Sequence, residues 1–93
     1  MYAYICHYTY MPTLLVIKNL MFIIHTRDHL PPHVTVYAGS PEKWEATAKV
    51  RLDSVVLLDQ ENFSARSIKF ILQIVGQNQV DWMEEWNDWF KNR

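Results

Sequence analysis

The chain has 93 residues, of which 49% are hydrophobic and 20% are charged, and its formal net charge is −1 at pH 7. This length predicts one small domain, since a second hydrophobic core would be difficult to build, and the composition excludes a disordered polypeptide. The near-neutral charge excludes general electrostatic capture of nucleic acid, which needs a strongly basic surface, but it leaves room for a local basic strip.

The N-terminal residues and the single cysteine bear on domain limits and location. Cys6 has no second cysteine to pair with, which favours a reducing compartment, the cytoplasm. The start lacks the features of a signal peptide, and the longest apolar runs are too short to cross a bilayer, so no membrane association is expected. Residues 1–10 are rich in tyrosine and uncharged, and Met11 begins a new pattern. We interpret 1–10 as an N-terminal extension and 11–93 as a single domain.

Four segments of the first half have the composition or the alternation of β-strands. They are TLLVIKN (13–19), LMFIIHT (20–26), HVTVYA (33–38) and KWEATAKV (43–50). Lys18-Asn19 is a two-residue hairpin signal in which Asn19 suits the left-handed conformation, and Gly39 suits a turn with unusual backbone angles. The alternation of the last two segments predicts one buried face that contains Val34, Val36 and Trp44.

The last third of the chain has helical spacing. Ser64 is a good N-cap, and apolar residues then recur at intervals of three and four up to Gly76, where we expect a break over 76–79. A second helix carries a stripe of tryptophans. Strands followed by helices predict an α+β domain: an antiparallel sheet of about four strands, with two C-terminal helices packed on one face.

The sharpest catalytic hypothesis centres on the segment RDHLPPHVTVYA (27–38). Its second histidine, His33, is expected on the open sheet face, where it would act as a general acid or base for RNA cleavage, with nearby cations binding the phosphate. The candidate catalytic residues are His33, His29, Arg27, Lys49 and Arg51. The alternative is an ordinary solvated sheet face, which is polar in most two-layer domains.

The spacing of three histidines does not indicate a metal site. His25, His29 and His33 recur every four residues, which would align them on a helix. Pro31 and Pro32 exclude a helix there, because each lacks a donor and restricts the residue before it. The sequence therefore predicts neither a metal nor a cofactor; the alternative is that the three histidines converge across the turn, with Asp28 as a fourth ligand of a metal ion.

Aromatic side chains are numerous for so small a core, with four Trp, five Tyr and four Phe. We expect Trp82 and Trp86 to pack inward, because helical spacing places them on the face that covers the sheet. Trp89 and Phe90, near the end of the helix, are candidates for a surface that binds a protein partner or a second copy, and Tyr37 on the open sheet face is a third.

Several of these segments together resemble a family of small prokaryotic proteins that is known only as a domain of unknown function. The resembling stretches are MPTLLVIKNLMFIIHTRDHLPPHVTVYAG, WEATAKVRLDSVVLL, NFSARSIKFIL and MEEWNDWF, which run from Met11 to Phe90. The family pattern has an N-terminal MPT, a PPHVHV segment and a final helix with Glu-x-Trp-x-x-x-Phe. Residues 31–34 match the PPHV part, and Trp86 and Phe90 match the helix.

The resemblance implies a partner rather than a reaction. Genes of this family commonly adjoin another small-protein gene, an arrangement similar to toxin–antitoxin modules, so the resemblance implies an interaction protein that binds a small cognate protein. RNA would be a partner only if the chain were an RNA-cleaving toxin. The second histidine of the family motif is Thr35 here, which disfavours any two-histidine mechanism, and residues 1–10 have no counterpart.

Overall fold

The structure is a computed structural model that describes residues 13–25 and 30–91. A five-stranded antiparallel sheet in the order β1-β2-β3-β4-β5 precedes two helices, so the predicted α+β class is confirmed, with five strands instead of about four. The elements are β1 (Thr13–Ile17), β2 (Leu20–Ile23), β3 (His33–Gly39), β4 (Trp44–Arg51), β5 (Val56–Glu61), α1 (Ala65–Gln77) and α2 (Gln79–Lys91).

The fifth strand has no clear signal in the sequence. β5 is an edge strand of sequence VLLDQE, and all but one of its side chains are exposed, so no apolar alternation marks it. Its pairing with β4 also shifts register between Lys49 and Val50, which breaks the two-residue period. Val55, immediately before it, has φ 54°, an uncommon angle for a β-branched residue.

Two neighbouring turns at one end of the sheet depend on residues with positive φ. In the β1–β2 turn the left-handed residue is Lys18, with φ 57°, so the expectation for Asn19 is wrong. Gly39 has φ 114°, as predicted for a turn that needs glycine. The Gly39 amide donates to the Asn19 carbonyl at 2.9 Å, which joins the two turns.

Both helices cover one face of the sheet, and the core lies between these two layers. The Phe22 and Trp82 rings lie 5.4 Å apart, which ties β2 to α2. The buried core residues are Leu20, Phe22, Ile24, Val34, Val36, Ala38, Ala46, Ala48, Val50, Leu52, Ile71, Ile74, Val75, Trp82 and Trp86. Trp44 was expected on this face but is 38% exposed, because the β3–β4 register shifts between Ala38 and Gly39.

The helix boundaries follow capping chemistry. The Ser64 side chain accepts a hydrogen bond from the Ser67 amide at 3.1 Å, which confirms the predicted N-cap. Gly76 lies inside α1, and Asn78 ends the helix, with its amide donating to the Ile74 and Val75 carbonyls. The predicted break over 76–79 is therefore confirmed, and α2 begins directly after Asn78. Neither described helix has the length and apolarity that crossing a membrane requires.

Replacement of the α1 cap tests how much the helix depends on it. We expect Ser64→Ala to lower the free energy of unfolding by about 1 kcal/mol, because the Ser67 amide loses its acceptor. Urea denaturation monitored by circular dichroism would measure the change. Gln73→Ala, at an exposed position within the same helix, is the control and should change stability by less than about 0.5 kcal/mol. Equal effects of the two substitutions would contradict the capping role.

Candidate functional site

The sheet face away from the helices is more buried than the sequence indicates. Ile23 and Thr35 are cross-strand neighbours on this outer face, and each is only 2% exposed. The Thr35 hydroxyl oxygen is buried and makes no hydrogen bond within the described residues. The prediction of an open, solvated face around β3 is therefore wrong at its centre, and solvent reaches this face mainly over β4 and β5.

His33, the main catalytic candidate, is buried. As the first residue of β3 it is 7% exposed, and its ring lies 5.5 Å from the Trp86 ring of α2. Nδ1 lies 2.8 Å from the Pro31 carbonyl oxygen. Because a carbonyl only accepts, Nδ1 carries the proton in this contact and the ring is held in one orientation. The expectation that His33 is presented on an open face is wrong, because Trp86 packs against the residue at which the strand begins.

The predicted cations do not converge on His33 in the described residues. Lys49 is exposed and lies across from Thr35 on one side and Asp59 on the other. Arg51 is the cross-strand neighbour of His33, but its guanidinium is engaged elsewhere. The remaining candidates, Arg27 and His29, lie outside the described residues. The catalytic roles of all five residues stay predictions.

Arg51 forms a bidentate ion pair with Asp53 in the turn after β4. Nε donates to Oδ1 at 2.6 Å and Nη2 donates to Oδ2 at 3.1 Å, and both side chains are well exposed. The hydrogen bond from Arg51 lowers the pKa of the Asp53 carboxyl below its ordinary value, and the attraction between the charges adds to the effect. The pair thus engages the guanidinium of the residue that lies across from His33 in the sheet register.

The Arg51–Asp53 ion pair should make the stability of the fold depend on pH, and the direction follows from the lowered pKa of Asp53. Because the pKa of Asp53 is lower in the folded chain, the stabilisation is fully present above the unfolded-state pKa and is lost as the pH falls through the folded-state value. We expect an NMR titration of the Asp53 carboxyl to show a midpoint below that of an unstructured aspartate. Arg51→Ala should raise that midpoint, whereas Lys49→Ala should leave it unchanged. An unchanged midpoint in Arg51→Ala would contradict the assignment.

The three predicted partner contacts are all partly buried. Tyr37 donates or accepts a hydrogen bond with His25 Nε2 at 2.9 Å, and the two rings meet edge to face at 5.9 Å. Phe90 packs on Trp86 with ring centroids 4.0 Å apart, and Trp89 is partly buried beside it in the chain. Trp82 and Trp86 pack inward, as expected, with exposed fractions of 5% and 2%. The partner roles of Tyr37, Trp89 and Phe90 stay predictions.

The exposed large apolar side chains are mostly aliphatic, whereas the sequence predicted aromatic contacts. The large apolar residues that are most exposed are Val16, Leu30, Trp44, Val56, Leu58 and Val80. The sequence carries only a weak signal for the exposure of these residues. Each lies in an edge strand, in a turn or at the start of a strand or helix, where one isolated apolar residue does not change the hydrophobic periodicity.

The two edges of the described sheet differ in their protection against further strand pairing. β5 carries Asp59 and Glu61 and a register shift, devices that natural edge strands use to prevent association. β1 carries no charged residue and its Val16 is 58% exposed, and within the described chain it pairs with β2 alone. Its register shifts only at its start, between Thr13 and Leu15. β1 is therefore the less protected edge.

Among the described residues, two open grooves border the helices. One, of about 550 Å³, lies at the start of α1 and includes Lys18, Glu45 and Arg66 among its lining residues. The other, of about 520 Å³, lies between the start of β1 and α2, where Thr13 and Leu14 face a row of carboxylates. The carboxylates are those of Asp81, Glu84, Glu85 and Asp88. No group of three or more metal-ligating side chains converges within the described residues.

Comparison with protein families matches residues 17–87 to the family described as Domain of unknown function (DUF4160). The chain belongs to this family. The match covers most of the chain and includes β2 to β5, α1 and the greater part of α2, so membership of a small domain-of-unknown-function family is established. No curated protein and no solved structure matches the chain. DUF4160 membership carries no reaction, so a function has to be argued from the residues.

Proposed function

We propose that this DUF4160 protein is an interaction protein that binds a small cognate protein, encoded by a neighbouring gene, as in toxin–antitoxin modules. The observation that carries the proposal is that β1 is the less protected edge of the sheet formed by residues 13–25 and 30–91. An uncharged, largely apolar strand at a sheet edge is a template for a strand of another chain, and β1 has this composition, with Val16 exposed. The part of the proposal that concerns a neighbouring gene is supported by the family resemblance alone.

The burial of His33 favours binding over catalysis. A general acid or base must reach its substrate within hydrogen-bonding distance, and a ring that is 7% exposed and held by Pro31 and Trp86 offers little access. Arg51, the cation nearest to it in the sheet register, is bound to Asp53. The RNA-cleaving alternative therefore has less support than partner binding.

Backbone pairing at β1 would give the partner its affinity, and the side chains beside the strand would give selectivity. Val16 and Met21 are neighbours on the outer face, where Val16 is exposed and Met21 is partly buried. A partner strand added to β1 would cover Val16 and continue the sheet by one strand.

Co-expression with the neighbouring gene product, followed by size-exclusion chromatography, tests the proposal. We expect the two proteins to elute together. Val16→Lys places a charge at the β1 edge, so it should raise the dissociation constant of the complex at least about tenfold and reduce co-elution. Leu58→Lys on the opposite edge is the matched control and should leave co-elution unchanged. Separate elution at all concentrations would refute the proposal, and equal effects of the two substitutions would refute the role of β1.

A further inference from the structure

A groove that carries charge of one sign lies between the start of β1 and α2. Four carboxylates line it, those of Asp81, Glu84, Glu85 and Asp88, and their spacing of three and four residues places them along one face of the helix. The described residues that line this groove include no lysine, arginine or histidine. We call this surface the acidic groove.

The position of these carboxylates in α2 is unfavourable for the helix itself. Asp81 lies in the first turn, where the helix dipole favours a negative charge, but Glu84, Glu85 and Asp88 lie beyond it. Like charges three and four residues apart repel one another along a helix face. Within residues 13–25 and 30–91, no cation forms an ion pair with Asp81, Glu84 or Glu85. A cationic group bound in the acidic groove would therefore relieve this repulsion.

The acidic groove adjoins the edge of the sheet at which β1 is the outermost described strand. Thr13 and Leu14 belong both to β1 and to the lining of the groove. In a strand added to β1, every second side chain would point to the α2 side of the sheet. The carboxylates from Asp81 to Asp88 extend along roughly 10 Å of helix, the length of about three residues of an extended chain. Two side chains at alternate positions of the added strand match this length.

The lining of the acidic groove suits lysine or arginine side chains. Leu14 and Trp82 contribute apolar surface beside the carboxylates, and a lysine or arginine lays its aliphatic stem on such surface while its charged head reaches a carboxylate. The carboxylates are spread along the helix, and no group of three or more metal-ligating side chains converges in the described part of the chain. Cations carried at intervals on an extended chain therefore fit the groove better than one metal ion does.

Charge complementarity also distinguishes a different protein from the chain's own segments as the occupant. Residues 1–12, which precede β1, contain no lysine or arginine that would neutralise the carboxylates. In a second copy that paired through its own β1, the strand has no charged residue, and the Lys18 that follows it lies over the Phe70 ring of the same copy. The acidic groove therefore favours an extended basic segment of another protein.

We propose that the segment which the cognate protein adds to β1 is basic, with lysine or arginine at alternate positions that face the acidic groove. This partner chemistry rests on the proposed function, because the basic segment occupies the same edge of the sheet. Pairing of the backbones holds the segment at β1, and the carboxylates select it against neutral and acidic segments of similar hydrophobicity.

Fluorescence anisotropy with labelled synthetic peptides tests this proposal on the full chain. The probe is a peptide of about eight residues that alternates valine with lysine, and a comparison peptide of the same length alternates valine with glutamate. We expect the wild type to bind the lysine peptide at least about tenfold more tightly than the glutamate peptide. The difference should shrink as the salt concentration rises, because exposed charges are screened by salt.

Neutralisation of two groove carboxylates identifies the charges responsible. Glu84→Gln combined with Glu85→Gln should raise the dissociation constant of the lysine peptide about fivefold, since two ion pairs at exposed carboxylates are lost. Glu42→Gln combined with Glu45→Gln is the matched control, because it changes the net charge equally but lies at the opposite end of the sheet, in and just after the β3–β4 turn. Equal effects of the two double substitutions would reveal only a general attraction between charges and would overturn the proposal.

Co-elution with the cognate protein separates the failure of this proposal from the failure of the proposed function. A complex that Val16→Lys weakens, but that Glu84→Gln with Glu85→Gln leaves unchanged, would keep β1 as the binding edge and overturn the basic partner. Absence of any complex would refute the proposed function and the basic partner together.

Two results of the peptide measurements would also overturn the basic partner. One is a lysine peptide that binds Val16→Lys as tightly as the wild type, because it would bind away from β1. The other is a wild type that binds neither peptide, and sedimentation velocity would then show whether a second copy occupies the edge. Circular dichroism would verify that each variant is folded.

Discussion

Trp86→Ala is expected to lower the free energy of unfolding by about 3–5 kcal/mol, the largest effect among the substitutions considered. The Trp86 side chain is 2% exposed, and it joins parts of the molecule that are distant in sequence. Its ring contacts His33 at the start of β3 and Phe90 near the end of α2. Truncation would leave a cavity beneath the helix and would remove the ring that holds His33 against the sheet.

Urea denaturation followed by tryptophan fluorescence would measure this loss, and an NMR spectrum of the His33 ring would report the local change. Trp44→Ala is the matched control, because Trp44 is 38% exposed and lies outside the core cluster. We expect the control to cost less than half as much as Trp86→Ala. Similar losses for both tryptophans, or an unchanged His33 spectrum in Trp86→Ala, would show that the contact contributes little.

Much of the fold was predictable because its signals are local and agree with one another. The alternation of 33–38 and 43–50 predicted β3 and β4, the proline pair excluded a helix before them, and Ser64 marked the start of α1. The inward packing of the tryptophans followed from helical spacing. The sequence did not predict β5, because an exposed edge strand has no buried face that would require apolar and polar residues to alternate.

The candidate site was less predictable because side-chain burial depends on tertiary contacts. Alternation predicted that His33 and Arg51 share the open face, and the two residues are cross-strand neighbours, but His33 is buried. It could not show that the His33 ring would lie against Trp86, since these residues come from elements separated by two strands and a helix. Nor could it show that Arg51 would bind Asp53 two residues later, because a turn decides which way the guanidinium extends.

Substitution by alanine at the two glycines, Gly39 and Gly76, is expected to change the free energy of unfolding in opposite directions. Gly39 has φ 114°, and a methyl group there would lie 2.6 Å from the Lys43 carbonyl oxygen, so both backbone strain and a steric clash oppose Gly39→Ala. We expect a loss of about 1–3 kcal/mol from the strain alone, with the clash adding to it. The clash cannot be relieved cheaply, because the Lys43 backbone is held by two hydrogen bonds to Ser40.

Gly76 is the matched control because it lies inside α1, where its methyl group would make ordinary contact with Val55 at 4.0 Å. Gly76→Ala should therefore raise the free energy of unfolding by about 0.5–1 kcal/mol, since alanine loses less backbone entropy in a helix. Urea denaturation of the two variants and the wild type gives the comparison. A Gly39→Ala protein as stable as the wild type would contradict the turn geometry, and a destabilised Gly76→Ala protein would contradict the placement of Gly76 within α1.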